Sequence, residues 1–161
     1  MEIRMELNYK RLIFLFVLIS LAIGFIFYNS LQNSEDSNNA SGVLVKIFEQ
    51  IADKIFGGND IDINYLVRKG AHLTEFFILG FVVMGVIQTA GLKYLGYGLF
   101  SVLSIAVIDE YIQSFSDRTS SVKDVLIDFT GAMLGFIVCT VIFLICRKIR
   151  GKRELQDKHF K

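Results

Sequence analysis

Four stretches of the chain carry no charged residue: 12–28, 76–92, 94–108 and 129–146. Each continues at one end into polar residues that keep helical spacing. A bilayer span takes roughly 20 apolar residues, with a range of about 17–25, so the pattern predicts four transmembrane helices. Between the first two spans the pattern changes twice. Residues 29–42 are rich in Asn, Ser, Gln, Glu and Asp and read as a solvated linker. Over 43–56, Leu44, Ile47, Phe48, Ile51 and Ile55 recur at offsets 0, 3, 4, 7 and 11, with Lys46, Glu49, Gln50, Asp53 and Lys54 opposite. That is an amphipathic helix, lying on the membrane surface or capping the ends of the spans. Gly57, Gly58, Asn59 and Asp60 end it with turn chemistry.

Composition agrees with the pattern. Of 161 residues, 53% are apolar and 20% charged, with no proline to kink a span. Soluble domains carry about 25% charged residues. The net charge of +1 comes with no basic stripe, which excludes a nucleic-acid partner. The two cysteines, Cys139 and Cys146, lie seven residues apart inside the last apolar stretch, so neither a disulfide framework nor a cysteine zinc site is expected. The first stretch is longer than a signal-peptide core, and no small-residue cleavage site follows it, so it is read as a retained span.

Lys and Arg set the orientation. With the N-terminus inside, eleven basic residues face the cytoplasm, seven of them in 147–161, and six face outward. Both termini are therefore expected in the cytoplasm, in a bacterial cell membrane. The expected organisation is 1–28, N-terminus and first span; 29–67, extracytoplasmic linker and amphipathic helix; 68–146, a core of three spans; and 147–161, a basic tail. The fold class is all-α, a polytopic four-helix bundle with an extracytoplasmic amphipathic helix.

This topology gathers the ionisable residues at one end. Span two opens with Lys69, His72 and Glu75; span three closes with Asp109, Glu110 and Gln113; Arg118 follows in the loop; span four opens with Asp124 and Asp128. His72 and Glu75 share a helical face, as do Asp109 and Gln113. Asp124, Asp128, Gly131 and Gly135 form one stripe at offsets 0, 4, 7 and 11. The glycines are a Gly-x-x-x-Gly packing pair, so the acids on their stripe should point into the bundle. A charge facing lipid costs on the order of 2.5–3.5 kcal/mol.

The arrangement Arg68-Lys69-x-x-His72-x-x-Glu75, then Asp109-Glu110-x-x-Gln113-x-Phe115-x-x-Arg118, then Asp124-x₃-Asp128-x-x-Gly131-x₃-Gly135, resembles the VanZ-like family of bacterial membrane proteins over residues 67–136. The chain departs from that pattern at Leu73 and Phe76, where an aromatic and a Tyr are common. It also has Ser116-Asp117 where Pro-Gly commonly precedes the Arg. The topology makes this site outward-facing; the resemblance implies a link to teicoplanin susceptibility through the founding member, and kinship with membrane enzymes of lipid headgroup phosphates.

On an enzymatic reading, Lys69 and Arg118 would hold a phosphate. His72 would serve as base or nucleophile, Glu75, Asp109, Glu110 and Gln113 would complete the catalytic set, and Asp124 and Asp128 would orient it. Asp109, Glu110, Asp124 and Asp128 could also hold Mg²⁺ or Ca²⁺ through oxygen, or simply balance the cations. No H-E-x-x-H, G-x-S-x-G or P-loop is present. The partners expected are membrane lipids or lipid-linked precursors. The alternative to an enzyme is a protein that binds or shields those molecules at the outer surface. Proton-coupled transport lacks acids at mid-bilayer and polar residues on the inner side.

Overall fold

The structure is a computed structural model that describes residues 2–32, 63–115 and 121–159. Among the described residues the α-helices are α1 (Glu2–Leu31), α2 (Ile63–Ala90), α3 (Leu95–Gln113) and α4 (Val122–His159). No strand occurs among the described residues. Four helical stretches are long and apolar enough to cross a membrane: Asn8–Leu31, Leu66–Ala90, Leu92–Gln113 (with the short 3-10 turn that precedes α3) and Val122–Gly151. The amphipathic helix expected over 43–56, most of the linker, and Arg118 lie outside the described residues.

Successive helices run in opposite directions. The α2-to-α3 reversal is short because Gly91 adopts φ 127°, a region closed to most L-residues. Its N–H still bonds to the Ile87 carbonyl at 2.7 Å, and its carbonyl accepts from Tyr94 N–H at 3.1 Å in the 3-10 turn Leu92–Tyr94. Gly91→Ala should cost about 1–3 kcal/mol for the forced backbone, seen as a lower midpoint of thermal unfolding in detergent.

The central element is α2, which packs against the other three, most extensively against α4. Lipid tails are as apolar as leucine, so the hydrophobic effect gives helices little reason to associate in a bilayer; close backbone packing does more. That packing is visible at three glycines. A Cβ on Gly131 would lie 3.1 Å from the Leu73 carbonyl carbon, and one on Gly135 would lie 2.7 Å from the Phe81 nitrogen. From the other side, a Cβ on Gly80 would lie 2.7 Å from Ala132 Cα. The small-residue seam thus has a counterpart on α2 as well as the pair on α4. Around it Phe76, Leu79, Val83, Met84, Ile87, Val102, Ala106, Ala132 and Phe136 form the core, with Ile26 from α1.

Two boundaries differ from the pattern-based ones. The first helix continues past Tyr28 to Leu31, taking Asn29 and Ser30 out of the linker. Its inward stripe of Ile19, Ile23 and Ile26 leads to Ser30, so helix geometry carries a polar residue onto the core face. At the other terminus the helix runs through the basic tail to His159. Exposed Tyr28 and Tyr111 mark one end of the bundle, and exposed Tyr94 and Tyr97 the other. Such pairs of aromatic girdles are typical of membrane–water interfaces.

Candidate functional site

Alternating helix directions bring four helix ends together: the last turn of α1, the first part of α2, the last turns of α3 and the first turns of α4. The buried ionisable side chains collect there. His72 is 9% exposed, Asp109 0% and Asp128 1%, and Glu110, Gln113 and Ser30 are buried beside them.

The imidazole of His72 stands between two acids. Its Nδ1 lies 3.6 Å from Asp109 Oδ2 and 3.8 Å from Asp128 Oδ1. Each acid comes from a different helix, so three of the four helices meet at this point. Asp109 is held firmly. Gln113, one turn later on α3, donates from Nε2 to Asp109 Oδ2 at 2.9 Å, while the Ser30 hydroxyl donates to Oδ1. The same hydroxyl lies 3.0 Å from its own helix carbonyl at Ile26. It has one proton to give, and a carboxylate is the stronger acceptor. Ser30→Ala should therefore lower stability by about 1.5–3 kcal/mol, the usual worth of a hydrogen bond to a charged group, measurable as a drop in thermal midpoint.

Asp128 contrasts with Asp109. Neither of its carboxylate oxygens has a hydrogen-bond partner among the described residues. It sits four residues beyond Asp124, about 6 Å deeper along the helix.

The remaining residues form a rim around this centre. Lys69 and Asp124 make an ion pair, each side chain 16% exposed. Glu75 turns toward α1, where Asn29 Nδ2 donates to its Oε1 at 2.8 Å. Glu110 Oε2 accepts from the backbone N–H of Ser121 at 3.2 Å, tying the end of α3 to the start of α4. The structure thus gathers His72, Asp109, Gln113 and Asp128 at the centre and distributes Lys69, Asp124, Glu75 and Glu110 around it.

Asn29 and Ser30 are the site residues that the pattern of the chain does not single out. Both follow directly on an apolar run and resemble the polar linker after them. The signal that could have found Ser30 is its spacing of four from Ile26, which continues the inward stripe of α1.

These features define a multi-pass, all-α membrane protein with an imidazole–carboxylate site buried at one end of its bundle. The chain belongs to the VanZ/LLP1 family, whose model matches residues 14–144. It matches no curated protein and no solved structure.

Proposed function

We propose that this protein is an enzyme of the bacterial cytoplasmic membrane that hydrolyses or transfers phosphate-linked headgroups of lipids or lipid-linked cell-wall precursors at the outer face. The observation that carries this reading is the His72 imidazole set between Asp109 and Asp128 at the end of the bundle, shielded from the lipid tails. Carboxylates facing one ring nitrogen stabilise the imidazolium that forms on proton uptake and leave the other nitrogen for proton transfer to or from a substrate. Lys69 and Arg118 supply the charge that a phosphate needs; Lys69 would have to exchange Asp124 for the substrate as it binds. The rim of Asp124, Glu75 and Glu110 orients these groups.

The outward placement rests on the excess of Lys and Arg at the opposite end and in the tail. A fluorescent protein fused to the C-terminus should be bright, and alkaline phosphatase fused there inactive. The reverse pattern would put the site in the cytoplasm.

The reaction is tested by lipid mass spectrometry of membranes containing wild-type protein or His72→Ala at matched levels. A headgroup or polyprenyl-phosphate species changed by the wild type alone, with turnover down about 10²–10⁴-fold in the variant, is the expected result. Identical lipid profiles with both proteins folded would replace the enzyme by a binding or shielding protein. The teicoplanin concentration that stops growth should rise with the wild type and stay at the background value with His72→Ala.

A further inference from the structure

We propose that His72, Asp109 and Asp128 form a binding site for a divalent first-row transition-metal ion, completed by water or by an anionic oxygen of a ligand. The three residues each offer one ligand atom, and these atoms lie within 4.8 Å of one another. The imidazole-to-carboxylate separations of 3.6 and 3.8 Å are beyond hydrogen-bond length. They are close to the spacing of two ligands on one ion: metal–nitrogen and metal–oxygen bonds of about 2.1 Å at a tetrahedral angle put the ligand atoms about 3.4 Å apart.

Asp128 supplies an independent argument. It is 1% exposed, has no hydrogen-bond partner on either oxygen among the described residues, and points at the same imidazole as Asp109. A buried carboxylate that accepts from nothing is costly in a bilayer, where buried charges are paired or coordinate metals. The Lys69 ammonium forms its ion pair with Asp124 at the rim. A divalent ion between the two aspartates would compensate both.

The donor set selects the class of ion. Mg²⁺ and Ca²⁺ favour oxygen ligands throughout, and an all-acid set of Asp109, Glu110, Asp124 and Asp128 would suit them. In the structure Asp124 is turned to Lys69, and Glu110 has one oxygen on the Ser121 amide. What remains at the centre is one imidazole and two carboxylates, a set that suits Zn²⁺, Mn²⁺ or Fe²⁺. The surroundings are those of a supported site: Ser30 and Gln113 hold the Asp109 carboxylate from outside, as second-layer donors do around metal ligands.

Ion binding concerns the same residues as the proposed reaction but is read without turnover. Nδ1 of His72 would hold the ion and leave the other ring nitrogen for proton transfer, and the ion would supply Lewis acidity at this end of the bundle.

The test uses the full chain purified in detergent, stripped with EDTA and titrated with Co²⁺ alone, then with Zn²⁺. One Co²⁺ per chain, with visible ligand-field absorption that Zn²⁺ abolishes, is the expected result. His72→Ala and Asp128→Asn should lose that absorption while keeping the wild-type helical circular dichroism and elution volume. The isosteric Asp128→Asn is the variant least prone to unfold. His159→Ala should bind as the wild type does, and Gln113→Ala, a positioning change, should weaken Co²⁺ about 10–100-fold. Folded wild type with no cobalt absorption, equal binding by His72→Ala and Asp128→Asn, or displacement of Co²⁺ by Mg²⁺ or Ca²⁺ at concentrations comparable to Zn²⁺ would each overturn the proposal. Metal-loaded protein that leaves lipids unchanged would remove the catalytic reading and keep the site. Protein that takes up no cobalt yet alters lipids would remove the site and keep the catalytic reading.

Discussion

Replacing Gly135 by leucine should disrupt the bundle, with a loss of several kcal/mol. Two opposing effects decide the sign of any substitution at a helical glycine. A side chain restores about 1 kcal/mol of helix propensity for alanine relative to glycine, and it needs room. At Gly135 there is none: the first carbon of any side chain would already meet the backbone of α2 at Phe77 and Phe81. Over-packing a rigid interface costs about 1–3 kcal/mol for modest insertions, and more where the obstacle is backbone. Here the obstacle is backbone, so α4 must move off α2, and the long α2–α4 interface opens with it. Gly131→Leu should behave alike against Leu73. Gly70 makes the internal control, because a Cβ there meets nothing within 4 Å. Gly70→Ala should leave stability equal or slightly raised. Thermal unfolding in detergent, read by loss of monodisperse elution, separates the cases. A Gly135→Leu protein as stable as wild type would mean that the α2–α4 approach is looser than described.

Asp109→Ala should be nearly as damaging, for an electrostatic reason. The carboxylate joins three helices: Ser30 of α1 and Gln113 of α3 donate to it, and His72 of α2 faces it. Removing it takes the acceptor from Gln113 in a buried site and leaves the Ser30 hydroxyl the Ile26 carbonyl of its own helix. Breaking a buried charged network by deleting one partner costs about 3–5 kcal/mol. One effect works the other way, since Asp128 and Glu110 are buried near Asp109 and one fewer negative charge relieves their repulsion. In alanine the lost hydrogen bonds outweigh that relief. In Asp109→Asn they do not: the amide oxygen still accepts from Gln113, the amide NH2 donates to the Ser30 hydroxyl, whose proton turns to the Ile26 carbonyl, and the repulsion falls. Asp109→Asn should therefore fold with a thermal midpoint close to wild type, yet lose lipid turnover along with the charge that orients His72. If both variants unfolded equally, the charge and not the hydrogen bonding would be what holds the helices together at this end.

The chain encodes its spans openly because a bilayer demands it. A run of about 20 residues without charge has few alternatives to a membrane helix, and a helix is the element that satisfies its own backbone there. The family resemblance likewise rests on local spacings, and the match over residues 14–144 shows that family directly. Helical periodicity also puts Gln113 over Asp109 and sets Asp124, Asp128, Gly131 and Gly135 on one stripe, because i to i+3 and i+4 neighbours are fixed by 3.6 residues per turn.

What periodicity does not contain is the rotation of one helix against another, and that rotation decides who meets whom. Nothing local indicates that Asp128 faces His72 while Asp124, on the same stripe, goes to Lys69. Nor does it show that Glu75, on the face of His72, is held by Asn29 from α1. Gly80 is an unremarked glycine in the sequence and part of a backbone crossing in the structure. Ser30 passes for a linker residue until α1 is seen to continue and place its hydroxyl on Asp109. The sequence by itself determined the membrane class, the four spans and the end of the bundle where polar residues collect. Only tertiary packing, set by where small residues let two backbones approach, decided that one imidazole and two aspartates would share the centre.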